Sequence, residues 1–218
     1  MATPSIKLLL VATSPIVFEK LAHTDLIGHS LSVAENFCIE NGSHTHLSVA
    51  APASLMDRIK KCCAQMHISP ELIEVDPLDA SALASALATS QPFEIIGIHD
   101  TQRPLTRTAQ FHRVLGALAG DAEAARPDMA FTETLKVVDS DNVLTRTVDR
   151  NSIRRLSTPE FYNKNVIDFN GPASTWFLPL KAGTTTTEVE TDPESLRANS
   201  AAEVELLEAL LHWQKRVV

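Results

Sequence analysis

Short apolar runs alternate with longer stretches of helical periodicity in the first half of the chain. The short runs predict strands, at Ile6–Ala12, Leu47–Ala50, Leu72–Val75 and Phe93–Ile98. The longer stretches predict helices, at Leu31–Ile39, Leu55–Cys63, Ser81–Leu87 and Phe111–Leu118. Strands and helices in alternation indicate βαβ units with right-handed crossovers. We therefore expect an α/β fold with a doubly wound, mostly parallel sheet whose two faces are covered by helices.

The pattern changes after residue 128, where two strand-like runs flank a polar turn. Thr134–Val138 and Val143–Val148 are the predicted strands, and Asp139–Asn142 is the turn. Because isolated hairpins are only marginally stable, a matching arm from a second subunit would cover the apolar face. The sequence thus predicts a homodimerisation arm, at about residues 133–157.

Three further segments carry local signals. Thr158-Pro159-Glu160 has the pattern of a helix start, with a capping hydroxyl before a proline. Ser200 and Glu203 form a capping box ahead of a closing helix. The threonine-rich segment from Gly183 to Thr187 is predicted as either an edge strand or a loop.

Composition narrows the class of protein. The 218 residues suit one domain spanning residues 1–218, and the apolar share of 44% is that of a globular chain. With 27 acidic against 19 basic residues, the net charge of −8 argues against nucleic acid or an anionic membrane as a partner. Ile6–Ala12 is too short for a membrane span or a signal-peptide core. The cysteines number 3 and lack a CxxC spacing, which favours a reduced, cytoplasmic setting.

The stretch "IHDTQRPLT", residues 98–106, is the first candidate site, because open α/β sheets bind ligands at the carboxyl ends of their strands. Asp100 and Arg103 are the candidate side chains. Asp100 has an alternative interpretation as a turn or capping residue. Arg103, and Arg150 farther along the chain, have an alternative interpretation as surface or arm salt-bridge residues. His99 would point to the opposite face and is predicted to be structural.

Other reactive residue types do not form sites by pattern. His44 and His46 would share a strand face, but two imidazoles without a third ligand do not make a metal site, so no metal-binding residues are predicted. Cys62 and Cys63 are predicted to pack in the core. No G-x-S-x-G nucleophile motif is present.

Four blocks carry a family resemblance: "IHDTQRPLT", "TETLKVVD" at 132–139, "TVDRNSI" at 147–153 and "STPEFY" at 157–162. In order and spacing they resemble the 2-C-methyl-D-erythritol 4-phosphate cytidylyltransferases of the non-mevalonate isoprenoid pathway. The resemblance implies a Rossmann-like nucleotidyltransferase domain whose β-arm interlocks in a homodimer. It also implies transfer of CMP from CTP to methylerythritol phosphate with release of pyrophosphate, supported by Mg²⁺ and basic side chains.

The resemblance assigns roles to several residues, each an expectation. Asp100 and Arg103 fall on the family's strand-end motif near the sugar phosphate. Thr134 and Arg150 fall on its arm, from which the arginine reaches the substrate phosphate of the neighbouring subunit. Arg197 replaces a lysine of the closing segment, and Ser81 falls on the second nucleotide-contacting segment.

The nucleotide half departs from the family pattern. Members follow the first strand with a glycine-rich loop, whereas "LLLVATSPIVFEKLAHTDLIG" has no glycine before Gly28 and no arginine. Lys20 is its only lysine and is predicted to be a surface residue. "VDPLDASALASAL" keeps Ser81 without the family's glycine pair or arginine. We therefore assign no catalytic residue and predict impaired or lost CTP turnover. The alternatives are a non-catalytic dimeric scaffold or regulatory protein, and a sugar-phosphate nucleotidyltransferase with a different donor.

Overall fold

The computed structural model describes residues 4–90 and 92–217. Their strands are β1 Ile6–Val11, β2 Lys20–Leu21, β3 Thr24–Asp25, β4 Thr45–Ala51, β5 Glu71–Glu74, β6 Ile95–Asp100, β7 Ala124–Ala130, β8 Lys136–Val138, β9 Leu144–Thr147, β10 Arg154–Leu156, β11 Glu160–Asn163 and β12 Thr186–Glu190. The α-helices are α1 Leu26–Asn41, α2 Ala53–Met66, α3 Ala80–Ala88, α4 Thr108–Gly116 and α5 Ala201–Val217. Short 3₁₀ helices span Pro15–Phe18, Ala117–Ala119, Arg150–Ser152 and Lys164–Val166.

The main sheet has the strand order β10-β7-β11-β6-β1-β4-β5, with β12 beside β7. Strands β6, β1, β4 and β5 run parallel, whereas β11 lies antiparallel between β6 and β7. The predicted doubly wound, mostly parallel sheet is confirmed, with a mixed half beyond β6. All four strands predicted in the first half are present, within the usual shifts at their ends.

Helices cover both faces of the sheet because the central strands are apolar on both sides. Leu8 and Leu10 of β1 belong to the core cluster that includes residues of α1, α2 and α4. Leu9 and Val11 belong to the cluster on the other face, with residues of α3 and the segment before β12. In residues 4–90 and 92–217, no helix is long and apolar enough to cross a membrane.

The helix start predicted at Thr158-Pro159-Glu160 is wrong, because these residues lead into β11. Phe161 and Tyr162 are fully buried between β6 and β7, and this burial outweighs the local helix signal. The start of α5 is confirmed. Ser200 Oγ accepts from the Glu203 N–H at 3.3 Å, while the Glu203 carboxylate accepts from the main-chain N–H of residue 199.

The predicted hairpin is present. Strands β8 and β9 pair antiparallel, and Asp139 Oδ1 closes the turn by accepting from the Val143 N–H at 3.0 Å. Its tip exposes large apolar side chains, those of Val138, Val143 and Leu144. Strand β10 pairs with β7, so the chain rejoins the main sheet before residue 157. The threonine run ends in the edge strand β12, which is the first of its two predicted alternatives for Thr186 and Thr187.

Candidate functional site

Strand β6 ends in a tight turn that fixes Asp100. The Arg103 N–H bonds back to the Asp100 carbonyl at 3.0 Å, and Pro104 follows. Asp100 Oδ1 accepts from the Gln102 N–H at 3.0 Å, an Asx-type contact that holds the buried carboxylate at the strand end. Asp100 is therefore a turn residue, as its alternative interpretation stated. Its second oxygen remains available for another partner.

That partner is Arg197, which comes from the segment before α5. Arg197 Nε donates to Asp100 Oδ2 at 2.7 Å, and Nη2 donates to Gln102 Oε1 at 2.8 Å. Nη2 also lies 3.4 Å from Thr13 Oγ1, just beyond β1. The guanidinium thus spans the ends of two neighbouring strands, and it holds the segment before α5 against the sheet edge.

Arg103 lies close to Asp100 and links two other segments of the chain by hydrogen bonds. It donates to the Ser195 carbonyl at 2.7 Å and to the Leu156 carbonyl at 3.0 Å. Burial lowers the pKa of its guanidinium to about 10, although the charge of Asp100 favours the protonated form. The side chain therefore stays positive at neutral pH.

These residues line a pocket of about 290 Å³ at the carboxyl end of β6. Its charged side chains are those of Asp100, Arg103, Glu160 and Arg197, and its apolar wall includes Pro77, Leu78, Trp176 and Phe177. A small number of converging polar groups against an apolar wall is the usual composition of a small-molecule site. The pocket is large enough for a small sugar phosphate.

Glu160 is a pocket residue that the sequence reasoning did not identify. It lies on β11 with an exposed fraction of 3%, and its Oε2 accepts from the Phe177 N–H at 3.0 Å and from the Tyr162 hydroxyl. Burial raises the pKa of its carboxyl to about 7, against these hydrogen bonds and the charges of Arg126 and Arg103. Its sequence signals were its place in the block "STPEFY" and the two aromatic residues beside it, and neither distinguishes a pocket carboxyl group from one on a surface strand.

The structure brings together three of the residues predicted to bind substrate: Asp100, Arg103 and Arg197. Thr134 and Arg150 lie apart from them, near the arm, where both are exposed and Arg150 donates to the Thr132 carbonyl at 2.6 Å. Ser81 lies in the first turn of α3, next to a residue that lines the pocket, and its N–H donates to Asp79 Oδ1 at 3.1 Å.

The segment after β1 takes a different form from a phosphate-binding loop. It turns at once into the 3₁₀ helix Pro15–Phe18, whose first residue has no N–H. The Ile16 N–H donates to Ser14 Oγ at 3.4 Å, the Val17 N–H to the Ser14 carbonyl at 3.3 Å and the Glu19 N–H to the Ile16 carbonyl at 2.9 Å. Lys20 follows in β2 and is exposed, as predicted.

Two predicted structural roles are confirmed. His99 is buried, its Nδ1 lies 2.9 Å from Thr158 Oγ1, and burial lowers the pKa of its imidazole to about 4. Cys62 and Cys63 are buried in the core, and burial raises the pKa of the Cys62 thiol to about 12. Neither group is suited to act as a base or a nucleophile at neutral pH.

The side chains around this site do not form a cluster of metal ligands in the part of the chain that the structure describes. Within residues 4–90 and 92–217 there is no group of three or more His, Cys, Asp or Glu side chains that could hold one. Asp100, the carboxylate at the strand end, is already bonded to Arg197 and to the Gln102 N–H.

A family model supports a relationship to known proteins. Residues 12–174 match the model of 2-C-methyl-D-erythritol 4-phosphate cytidylyltransferase. A protein of that name from Saccharopolyspora erythraea is 27% identical over 132 residues, which are 59% of each chain. A bifunctional IspD/IspF enzyme from Rhodopseudomonas palustris is 30% identical over 158 residues, 72% of this chain and 38% of the relative. The matches thus span less than two thirds of these relatives' own lengths.

Solved structures share the fold over nearly the whole chain. A 4-diphosphocytidyl-2C-methyl-D-erythritol synthase from Anaerococcus prevotii superposes with a TM-score of 0.73 at 15% identity, covering 95% of this chain and 98% of its own. A 2-C-methyl-D-erythritol 4-phosphate cytidylyltransferase from Thermus thermophilus gives 0.68 at 18% identity, covering 94% and 98%. At these identities the likeness concerns the fold alone.

Proposed function

The chain belongs to the 2-C-methyl-D-erythritol 4-phosphate cytidylyltransferase family, and we propose that it keeps the family's acceptor pocket while its CTP turnover is impaired or lost. The proposal separates two halves of one reaction. The acceptor half binds the sugar phosphate at the end of β6. The donor half would have to hold a triphosphate at the end of β1.

The observation that carries the proposal is the form of the segment after β1. Binding of a triphosphate by main-chain amides requires a small-residue loop that leaves those amides free to approach it. Here the amides of Ile16, Val17 and Glu19 already donate within the segment, and Pro15 has none. The Arg197 guanidinium also lies against Thr13, at the place where such a loop would begin.

The acceptor half is supported by the charges around the pocket. In the proposed complex the sugar phosphate lies in the pocket lined by Asp100 and by the guanidinium groups of Arg103 and Arg197. Arginine suits this role because its planar, permanently charged group binds phosphate oxygens in pairs. Ser81, near the pocket rim, is proposed to contact a nucleotide if one binds.

In a homodimer, the arm of one subunit would bring its residues to the pocket of the other. Thr134 and Arg150 are exposed near an arm whose tip presents Val138, Val143 and Leu144 to solvent. We propose that this apolar tip is covered by a second copy of the chain, so that Arg150 of one subunit reaches the phosphate held by the other.

Turnover, where it persists, would depend on positioning and charge. Because the pocket offers no set of protein ligands for a metal ion, Mg²⁺ would be bound by the triphosphate itself. The residues of this chain would then orient the acceptor phosphate and offset its negative charge.

A different nucleotide donor is the second candidate. Leu78, with an exposed fraction of 69%, forms the pocket rim together with Pro77. This apolar rim stands where the family carries a polar nucleotide-contacting segment. It therefore favours a changed donor group over a changed acceptor.

Calorimetry and a turnover assay together test the proposal. Methylerythritol phosphate is titrated into the protein, then CTP with Mg²⁺, and pyrophosphate release is measured with both substrates present. The Thermus thermophilus cytidylyltransferase serves as the positive control under identical conditions. We expect heat with methylerythritol phosphate and pyrophosphate release at least about a thousandfold slower than the control, as expected when several transition-state contacts are lost.

Other outcomes are equally informative. Turnover comparable to the control would contradict the proposal. Absence of heat with both ligands would instead favour a non-catalytic scaffold or regulatory protein. Acceptor binding together with transfer from another nucleoside triphosphate would identify the second candidate.

A further inference from the structure

Glu160 is the charged residue of the pocket to which the proposed function gives no task. Its side chain forms part of the pocket wall and is otherwise enclosed. Buried carboxyl groups are costly unless they are paired, hydrogen-bonded or neutral. The position of this group therefore calls for a physical explanation.

The hydrogen bonds of Glu160 define where a proton would sit. The Tyr162 hydroxyl and the Phe177 N–H both donate to Oε2. A proton taken up by the carboxyl group therefore belongs on Oε1. The neutral group can then donate through Oε1–H, whereas the carboxylate can only accept.

The protonation state of Glu160 changes the formal charge of the pocket and therefore its attraction for an anion. Among the residues that line it, Arg103 and Arg197 are positive and Asp100 is negative, which leaves a formal charge of +1 when Glu160 is neutral. Ionisation of Glu160 brings that sum to 0. An incoming phosphate would then meet a like charge in a water-poor wall, where repulsion is strong.

We propose that Glu160 is a specificity-determining residue of this pocket, which binds a phosphate-type dianion when its carboxyl group is neutral and repels it when that group is ionised. The inference rests on the proposed acceptor role of the pocket. It adds a donor to the phosphate site and makes anion binding depend on proton uptake.

The surroundings of Glu160 support a change of charge in the neutral range. Arg126 faces it from β7, Arg103 faces it from the turn after β6, and Asp100 lies at the end of β6 in the same pocket. Tyr162 shares its strand and is buried with it. Burial dominates these influences and raises the pKa of Glu160 to about 7, and a bound dianion would raise it further.

Sulfate is the probe that isolates this effect, because it stays a dianion across the neutral range while a phosphate monoester changes its own charge near pH 6. Its dissociation constant is measured by calorimetry between pH 6 and pH 8.5 for the wild-type chain, for Glu160→Gln and for Glu133→Gln. Glu160→Gln keeps the shape of the neutral carboxyl group. Glu133 is exposed near the arm and supplies the matched control.

We expect wild-type and Glu133→Gln to bind sulfate about tenfold more weakly at pH 8.5 than at pH 6, since a shift of one unit in the pKa of Glu160 corresponds to that factor. Glu160→Gln should bind equally well at both pH values. In the wild-type chain without ligand, the amide resonance of Phe177 should titrate with a midpoint well above the ordinary carboxyl range, because its N–H donates directly to Glu160.

The proposal is overturned by any of three results. These are sulfate affinity independent of pH in the wild type, the same pH dependence in Glu160→Gln, or absence of sulfate binding at pH 6. None of these measurements uses CTP or methylerythritol phosphate. Failure of the proposed function, seen as normal CTP turnover, is therefore distinguishable from failure of this inference.

Discussion

Strands β1 and β6 are neighbours that end at the same edge of the sheet, yet their ends differ in what they offer a ligand. The end of β6 borders a pocket of about 290 Å³ that is lined by two arginines and two carboxyl groups. After β1 the chain forms the 3₁₀ helix Pro15–Phe18, where main-chain amides donate hydrogen bonds within the segment. Charged side chains thus line the pocket at one strand end, while the amides of Ile16, Val17 and Glu19 beyond the other already donate within their own segment. We infer that the two halves of a two-substrate site can diverge separately.

Removal of the arm should produce the largest effect. This effect should concern assembly and the pocket after β6, and not the segment after β1. The Val148 N–H donates to the Leu135 carbonyl at 2.9 Å, so the intervening residues, Lys136–Thr147, can be replaced by a short Gly-Ser link. We expect light scattering to show a monomer in place of a dimer. The affinity for methylerythritol phosphate should fall, because Arg150 of a partner would no longer reach the pocket.

An unchanged dimer mass after this deletion would show that the subunits associate elsewhere. Replacement of Val143 and Leu144 by serine is the milder companion variant, since it keeps the hairpin and removes only its apolar tip. A cooperative thermal transition in both variants would show that the main sheet is intact.

Arg103→Ala tests whether a side chain that lines the pocket after β6 also stabilises the fold. The substitution removes the guanidinium hydrogen bonds to the Ser195 and Leu156 carbonyls and a positive charge beside Asp100. We expect the free energy of unfolding in urea to fall by about 3 kcal/mol or more. Arg107→Ala is the matched control, because Arg107 is largely exposed and its loss should cost about 1 kcal/mol or less. Equal losses would contradict the structural role of Arg103.

The two sides also differ in how far the sequence could predict them. The ends of β1 and β6, and with them Asp100 and Arg103, followed from apolar runs that stop at polar residues. Strand β11 did not, because Thr158-Pro159-Glu160 has a local helix signal that burial between β6 and β7 overrides.

Long-range contacts account for the rest. The ion pair of Asp100 with Arg197 joins residues 97 positions apart, and no local pattern signals it. Glu160 likewise meets a distant segment, because the Phe177 N–H donates to its carboxyl group. The departure of the segment after β1 from a glycine-rich loop could be predicted, because the absence of glycine is a local property of the sequence.

The stability of the chain should depend on pH through Glu160. Its pKa in the folded state is raised to about 7, above its ordinary value, so the folded state favours the neutral form. This contribution is fully present below the ordinary pKa and is lost as pH rises through about 7. Relative to Glu160→Gln, the wild type should lose on the order of 2 kcal/mol of unfolding free energy between pH 4 and pH 8.5. Parallel curves for the two proteins in urea denaturation would contradict this.

Asp100→Asn should sharpen the electrostatic account of the β6 side with a smaller effect. The amide oxygen can still accept from the Gln102 N–H, but the charge that opposes Arg197 is lost. Sulfate should therefore bind about threefold to tenfold more tightly at low ionic strength, and the gain should shrink with added salt. Asp121→Asn, at an exposed position, should leave the affinity unchanged. Weaker sulfate binding by Asp100→Asn would mean that the ion pair mainly positions Arg197.

Lys20→Ala should have the smallest effect, and for that reason it probes the β1 side most directly. Lys20 is exposed in β2, so its loss should change the free energy of unfolding by about 0.5 kcal/mol or less. It should also leave any heat of CTP binding and any residual pyrophosphate release unchanged. A lysine that met the triphosphate would behave otherwise, because removal of a cation from a developing negative charge slows transfer by orders of magnitude. A marked loss of residual turnover in Lys20→Ala would mean that the segment after β1 opens to admit the nucleotide, and the contrast between the two strand ends would then disappear.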